Sequence, residues 1–339
     1  MSPTAIICMA GQITFAGERV RTLCRLEFVV FVVLAALMSG CQSNGGRSNS
    51  NEPGQLCLRD DCEQYQLVDL PQLENVHFTA EGRLFVTGQD NLYEISGSFA
   101  EGFEGKALLE GGGCSGMAST RDTLYALCQG SSAGLTDFSS IMVLDLSNPD
   151  AVPEAVFQLS NMTLPNGMGL GPDGNLYISD GPVSVTPKIV RVLVSADDPA
   201  ILLGQETWLS LLGDWPNGVT WHQGVLYTTL FGAGLGTVVA VPLNPDGSAG
   251  ERQTVYTRGR IMDDLIAYQD TLIVTDWLDS RLFQITLDGN LLAETPAFGF
   301  SQPSSVAVGQ PPMFDPSQLL VTERYSGDGL WLLQAADAP

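Results

Sequence analysis

Glu74, Asn166, Asn217 and Asp263 each stand nine or ten residues before a leucine that opens an apolar run, at Leu84, Leu176, Leu226 and Leu272. Four side-chain oxygens in equivalent places of one repeated unit converge if the repeat closes into a ring. Two carboxylates and two amide carbonyls, with no Cys or His, form a hard ligand set that suits calcium first and magnesium or manganese next. The matching chemistry polarises a carbonyl and holds a water, with a carboxylate at hand to take a proton. Asn before Gly is by itself only a turn signal. The argument for a site is the equivalence of the four places, so the elements between them decide the matter.

Those elements repeat. After residue 70 the chain alternates a small or polar residue, an apolar strand, a turn, and a second strand that usually begins Leu-aromatic. Pro165-Asn166-Gly167-Met168-Gly169-Leu170, then Pro172-Asp173-Gly174-Asn175, then Leu176-Tyr177-Ile178 is the clearest copy, and Pro216-Asn217-Gly218-Val219 with Leu226-Tyr227 repeats it. The full set of slots is Glu74, Ser115, Asn166, Asn217, Asp263 and Ser304, separated by 41, 51, 51, 46 and 41 residues. That spacing is close to the roughly 40–50 residues of a four-stranded propeller blade. Several units also end in an outer strand, such as Ile189-Val190-Arg191-Val192, Val238-Val239-Ala240-Val241 and Leu282-Phe283-Gln284-Ile285. The strands are short, β-branched or aromatic, and bounded by Gly, Pro, Asn or Asp. No helical period is sustained anywhere after the first forty residues.

The pattern predicts an all-β fold, a six-bladed β-propeller over residues 63–336, in which Tyr65-Gln66-Leu67-Val68 completes the last blade and locks the ring. The innermost strands line the axial channel, and the six slots then face one another at one mouth of it.

The chain ahead of the ring reads differently. Arg19, Arg21 and Arg25 precede an apolar run from Phe28 to Met38, too short to span a bilayer but suited to a signal peptide over residues 1–40. Leu37-Met38-Ser39-Gly40-Cys41 resembles the lipobox of bacterial lipoproteins, which implies lipidation of Cys41 and attachment to a membrane at the cell envelope. Gln42 after the cysteine points to the outer membrane by the same resemblance. Residues 41–62 begin with a polar Ser/Asn/Gly tract that reads as a flexible tether.

Without residues 1–40 the chain has 12 basic against 36 acidic residues, a net charge of about −24. That excludes nucleic acid as a partner. The four cysteines that remain beyond Cys41 form an even set; in an exported chain their short separations suggest Cys57 with Cys62 and Cys114 with Cys128, one of the three pairings four cysteines allow.

Taken together, the order Glu74, Asn166, Asn217, Asp263 and the repeated Pro-Asn-Gly resemble the gluconolactonase and senescence-marker-protein (regucalcin) family of six-bladed propellers, with paraoxonases as more distant relatives. The resemblance covers roughly residues 65–335. It implies metal ligands at Glu74, Asn217 and Asp263. It also implies a substrate-side asparagine at Asn166, which in the paraoxonase-like pattern reaches the metal too. The implied activity is hydrolysis of a lactone or related ester, with Asp263 as general base or water-orienting group. The implied cofactor is a divalent cation, calcium first, with magnesium, manganese or zinc as alternatives. A monomer acting on a small molecule is expected; the competing reading is a non-catalytic envelope propeller that binds a ligand or protein partner.

Two departures from the family pattern bear on substrate. Leu164 stands where gluconolactonases have an arginine two residues before the asparagine, which removes a polar contact to a sugar-acid lactone. Asp264 follows Asp263 where that family has Gly and paraoxonases have Asn, and either adds an oxygen to the site, ion or substrate, or faces solvent. Trp215, Trp221, Phe231 and Trp277 near the channel suggest an apolar substrate or blade packing.

Other chemistry is absent from the sequence. No Gly-x-Ser-x-Gly elbow occurs, and by strand alternation His77 faces away from the channel. His222, beside the Gln223-Gly224 turn, is expected to be exposed. Gly232-Ala233-Gly234-Leu235-Gly236 is followed by a strand and not by the helix a phosphate cradle needs.

Overall fold

Each repeat unit folds into four antiparallel strands, because runs such as Leu84–Gly88 and Leu176–Asp180 are apolar, short and closed off by Gly, Asp or Pro. The computed structural model describes residues 56–336 apart from 90, 110, 130–138, 182–183, 233–234, 259–260 and 325–327. The expected signal segment, Cys41 and the tether up to residue 55 lie outside the described residues.

Six four-stranded sheets form the blades of a β-propeller, and among the described residues there is no helix. The inner strands are Leu73–Phe78, Cys114–Ser119, Pro165–Leu170, Trp215–His222, Met262–Tyr268 and Pro303–Val308, here blades one to six. The sixth blade takes three strands from the C-terminal end and its outermost from the N-terminal end: Cys62–Val68 pairs antiparallel with Gly329–Ala335. The closure expected of Tyr65 to Val68 is therefore present, with three further residues in the strand.

The runs expected as outer strands are third strands. Lys188–Val194, Leu235–Pro242 and Arg281–Thr286 are each covered by a fourth, Leu202–Ser210, Gln253–Thr257 and Leu291–Glu294. The sequence hid these because an outermost strand packs on one side only, and its residues are largely exposed or half-buried. Apolar periodicity fades where burial does.

The core is divided among the blade interfaces. Among the described residues six apolar clusters occur, one in each interface; Tyr125 and Ile141 of blade two pack against Leu176 and Ile178 of blade three, and Leu84 and Val86 of blade one against Leu320 and Leu332 of blade six. Leu56 and Leu58 are buried in the cluster between blades five and six. A disulfide joins Cys57 to Cys62 beside them, with Cα atoms 5.7 Å apart.

Candidate functional site

Every inner strand carries a register irregularity at the slot. The breaks fall between Leu73 and Asn75, Cys114 and Met117, Pro165 and Met168, Pro216 and Val219, Met262 and Leu265, and Pro303 and Ser305. A bulge leaves the backbone groups beside it without a ladder partner. A hydroxyl on the second strand of the same blade fills the gap. Thr87, Ser179, Thr229 and Thr275 accept from the N–H after the slot, at 3.1, 2.8, 2.9 and 2.7 Å.

The same hydroxyls, and that of Thr322 in blade six, reach the next blade. Thr87 donates to the Ser115 carbonyl at 2.7 Å, Ser179 to that of Asn217 at 2.6 Å, Thr229 to that of Asp263 at 2.5 Å, and Thr275 and Thr322 to those of Ser304 and Glu74 at 3.4 Å. Blade two has Leu127 in this place, and there a Cys114–Cys128 disulfide ties the slot end of the inner strand to the second strand. Glycine after the slot lets neighbouring inner strands approach. A Cβ on Gly167 would lie 2.3 Å from the Asn217 carbonyl oxygen, and one on Gly218 would lie 2.5 Å from Asp264 Oδ1.

This frame brings the four predicted residues together at one end of the channel. Asn166 donates from Nδ2 to Glu74 Oε1 at 3.2 Å, across the ring from blade three to blade one. Asn217 donates from Nδ2 to Asp263 Oδ1 in the adjacent blade. Glu74, Asn217 and Asp263 are buried. The Oδ1 of Asn217 is buried and has no hydrogen-bond partner, which leaves an amide oxygen desolvated beside a carboxylate. Ser304 turns outward from the ring centre, donating to the Leu73 carbonyl at 2.9 Å.

The electrostatics are those of crowded acids. Burial first, then the charge of Glu74, holds the Asp263 carboxyl well above the usual carboxylate range, against the opposing pull of Arg324 and the Asn217 amide. Arg324, which follows the second strand of blade six, pairs with Glu74 Oε2. Sequence reading missed this residue, because blade six offers serine in its own slot and the guanidinium arrives from the following loop.

Asp264 is half-buried, with its carboxylate held by hydrogen bonds. Its Oδ2 accepts from Ser305 Oγ at 2.5 Å and Asn75 Nδ2 at 2.9 Å, and its Oδ1 from the Leu265 N–H at 2.8 Å. Asn75 and Ser305 stand one residue past the slots of blades one and six, so the carboxylate belongs to a polar layer under the slots. Burial pushes it up to about 6.

Three further carboxylates were overlooked. Asp180, Asp276 and Glu323 end the second strands of blades three, five and six and are buried. Asp180 Oδ1 accepts from the N–H groups of Thr163 and Leu164 at 2.8 and 3.0 Å, which fixes the loop that delivers Asn166. Glu323 Oε1 accepts from the Ser301 N–H at 2.7 Å, ahead of the Ser304 slot. The signal was available as a second repeat, Ile178-Ser179-Asp180, Val274-Thr275-Asp276 and Val321-Thr322-Glu323.

Among the aromatics, Trp215 and Phe231 stack with ring centroids 5.7 Å apart at the slot end, and Trp215 Nε1 donates to the Ser184 carbonyl at 2.8 Å. Trp221 lies at the opposite end of its strand, paired with Leu226 and packed on Tyr177 at 4.7 Å, so it has no part in the mouth. His77 Nε2 is 2.8 Å from Ser119 Oγ of blade two, away from the slots. His222 is less open than expected, with 19% of its side chain exposed and Asp270 at 3.7 Å. Leu235–Pro242 is a strand, as the reading of the glycine-rich segment required. Among the described residues, the one group of three Cys, His, Asp or Glu ligand atoms within 4.8 Å is Cys57, Asp61 and Cys62; its sulfurs are joined to each other, so it is not a metal centre.

Comparison with known proteins places this geometry in a fold. No protein-family model matches the chain, and no curated protein matches it in sequence. Solved structures do. A gluconolactonase from Xanthomonas campestris superposes with a TM-score of 0.60 at 18% identity, covering 81% of this chain and 90% of that one. Regucalcin from Agrobacterium tumefaciens, a calcium-binding protein, gives 0.58 at 17% identity over 82% of this chain and 95% of that one. A PQQ-bound aldose sugar dehydrogenase from Streptomyces coelicolor gives 0.55 at 16% identity over 82% and 99%. The structural neighbours are thus gluconolactonase, regucalcin and sugar dehydrogenase propellers. Likeness at these identities shows the six-bladed fold, which carries more than one chemistry.

Proposed function

We propose that the slot ring is a divalent-cation site and that the chain is a metal-dependent hydrolase of a lactone or related ester, carried at the bacterial cell envelope by lipid on Cys41. The observation that carries the reading is the buried Asn217 Oδ1, without a partner, next to the Asp263 carboxylate. The donor chemistry fits a hard cation: Glu74, Asp263, Asn166 and Asn217 offer only oxygen, calcium being the first choice.

When bound, the cation would supply Lewis-acid polarisation of the scissile carbonyl. Asp263 accepts a proton from the attacking water at its carboxylate. Asn217 orients Asp263 by donating from Nδ2 to the carboxylate Oδ1. Asn166 stands opposite, hydrogen-bonded to Glu74 and available to an incoming carbonyl or hydroxyl. Leu164, held by Asp180, makes the approach beside Asn166 apolar. With the stacked Trp215 and Phe231 at the same end, it favours an apolar lactone or ester over a sugar-acid lactone.

Metal analysis and calorimetry of the purified chain, followed by a panel of lactones and esters assayed with and without EDTA, test this. One divalent ion per chain and chelator-sensitive turnover are expected, both lost in Asp263→Ala. A D263A protein that keeps both properties overturns the mechanism. Turnover of nothing on the panel, together with a protein partner that co-purifies, favours the binding-propeller reading instead.

A further inference from the structure

Resting on the reading of the slots as a cation site, we infer that Arg324 is the ring's own cation, and that it competes with the divalent ion for Glu74, so that metal loading and release of the guanidinium are one exchange. Both oxygens of Glu74 are already engaged by N–H donors, Oε1 by Asn166 and Oε2 by Arg324. Asp263 Oδ1 is likewise engaged by the Asn217 amide. The ring is closed by donors.

A guanidinium has no lone pair to offer an ion and stays charged at every accessible pH. It therefore cannot join a coordination shell, and a divalent ion on the same carboxylate repels it. The two asparagines adapt without leaving, since turning an amide about its last torsion exchanges NH₂ for oxygen in nearly the same shape. Asn217 already holds a buried Oδ1 that no donor engages. Arg324 has no such option and must move. Its side chain is 28% exposed, against 7% for Glu74, so the direction open to it is outward.

The arrangement makes two opposite demands on Arg324. Without a divalent ion it supplies the positive charge that lets Glu74 stay buried beside Asp263. With the ion it is an obstacle. Removing the charge while keeping apolar length, Arg324→Met, should tighten calcium binding at least tenfold by calorimetry and lower the melting temperature measured in EDTA. Calcium-loaded wild type and variant should melt together. Arg324→Lys, whose ammonium lacks the planar fork, should bind calcium with intermediate affinity and serves as the second variant if the methionine protein folds poorly.

Equal or weaker calcium binding by the folded variants, with the wild type binding one ion, overturns the exchange and leaves the cation site standing. No binding of calcium, magnesium or manganese by any of the three proteins removes both. Calcium binding by the variants where the wild type binds none supports the exchange in its strongest form.

Discussion

Thr229 of blade four gives its hydroxyl proton to the carbonyl of Asp263 in blade five at 2.5 Å while its oxygen accepts the Gly218 N–H of its own blade at 2.9 Å. One side chain thus satisfies both backbone groups that the bulges beside two slots leave open. Thr229→Val keeps the shape and strands a buried donor and a buried acceptor, each costing about 1–3 kcal/mol. Urea denaturation should show a loss of about 2 kcal/mol or more. A change within about 0.5 kcal/mol would mean that the hydroxyl contributes nothing net.

Close approach of the inner strands at the slots should be intolerant of a single methyl. A Cβ at Gly218 would sit 2.5 Å from Asp264 Oδ1 and 2.6 Å from its Cα, whereas one at Gly204 meets nothing within 4 Å. Gly218→Ala is expected to cost about 1–3 kcal/mol by overpacking, and Gly204→Ala to be neutral, in thermal melts of the two proteins run side by side. Equal melts would show that the strands yield freely.

Blade two depends on sulfur where the others depend on a hydroxyl. The Cys114–Cys128 bond closes a loop with a sequence separation of 14, for which the chain-entropy estimate is about 3 kcal/mol. Replacing both cysteines by serine should lower stability by that order. The paired replacement Cys57→Ser/Cys62→Ser, with a separation of 5, should cost less. The reverse order would contradict the loop-length argument.

His77 makes stability depend on pH. Burial pushes its imidazole down to about 4 from an ordinary 6.5. A depressed base is neutral in the folded chain and protonates first in the unfolded one. Its contribution is therefore full above pH 6.5 and is lost as pH falls towards 4, by up to roughly 3 kcal/mol. Asp276, raised to about 6 chiefly by burial, acts in the opposite sense: its contribution is present at low pH and is lost as pH rises through 6. His77→Gln should flatten the acid-side loss of stability measured by urea titration between pH 7.5 and 4.5. A His77 imidazole titrating near 6.5 by NMR would refute the burial argument.

How far the sequence could be read follows from burial. Second strands are buried on both faces, so Leu176-Tyr177-Ile178 and its counterparts stood out. Outermost strands such as Gln253–Thr257 are polar and were missed. The slot was visible because closure of the ring brings one residue of each blade into an equivalent place, and the bulge behind it was not, since no residue preference marks it. Asp180 could have been read from the repeat. Arg324 could not, for its counterparts after Asp180 and Asp276 are Gly181 and Trp277, and it meets Glu74 across a sequence separation of 250 only because the chain bends into a ring.

The shared sixth blade also decides where the molecule yields to force. Cys62 pairs with Ala335 at the end of the blade away from the slots, and Val68 pairs with Leu330 near them. Tension on the N-terminus would peel this strand one rung at a time, starting far from Glu74. Ahead of the first rung, the Cys57–Cys62 bond makes the intervening loop inextensible, and buried Leu56 and Leu58 must be drawn from the interface of blades five and six. The chain's entry point is thus a strain relief, and the slots lie at the last rung to feel a pull.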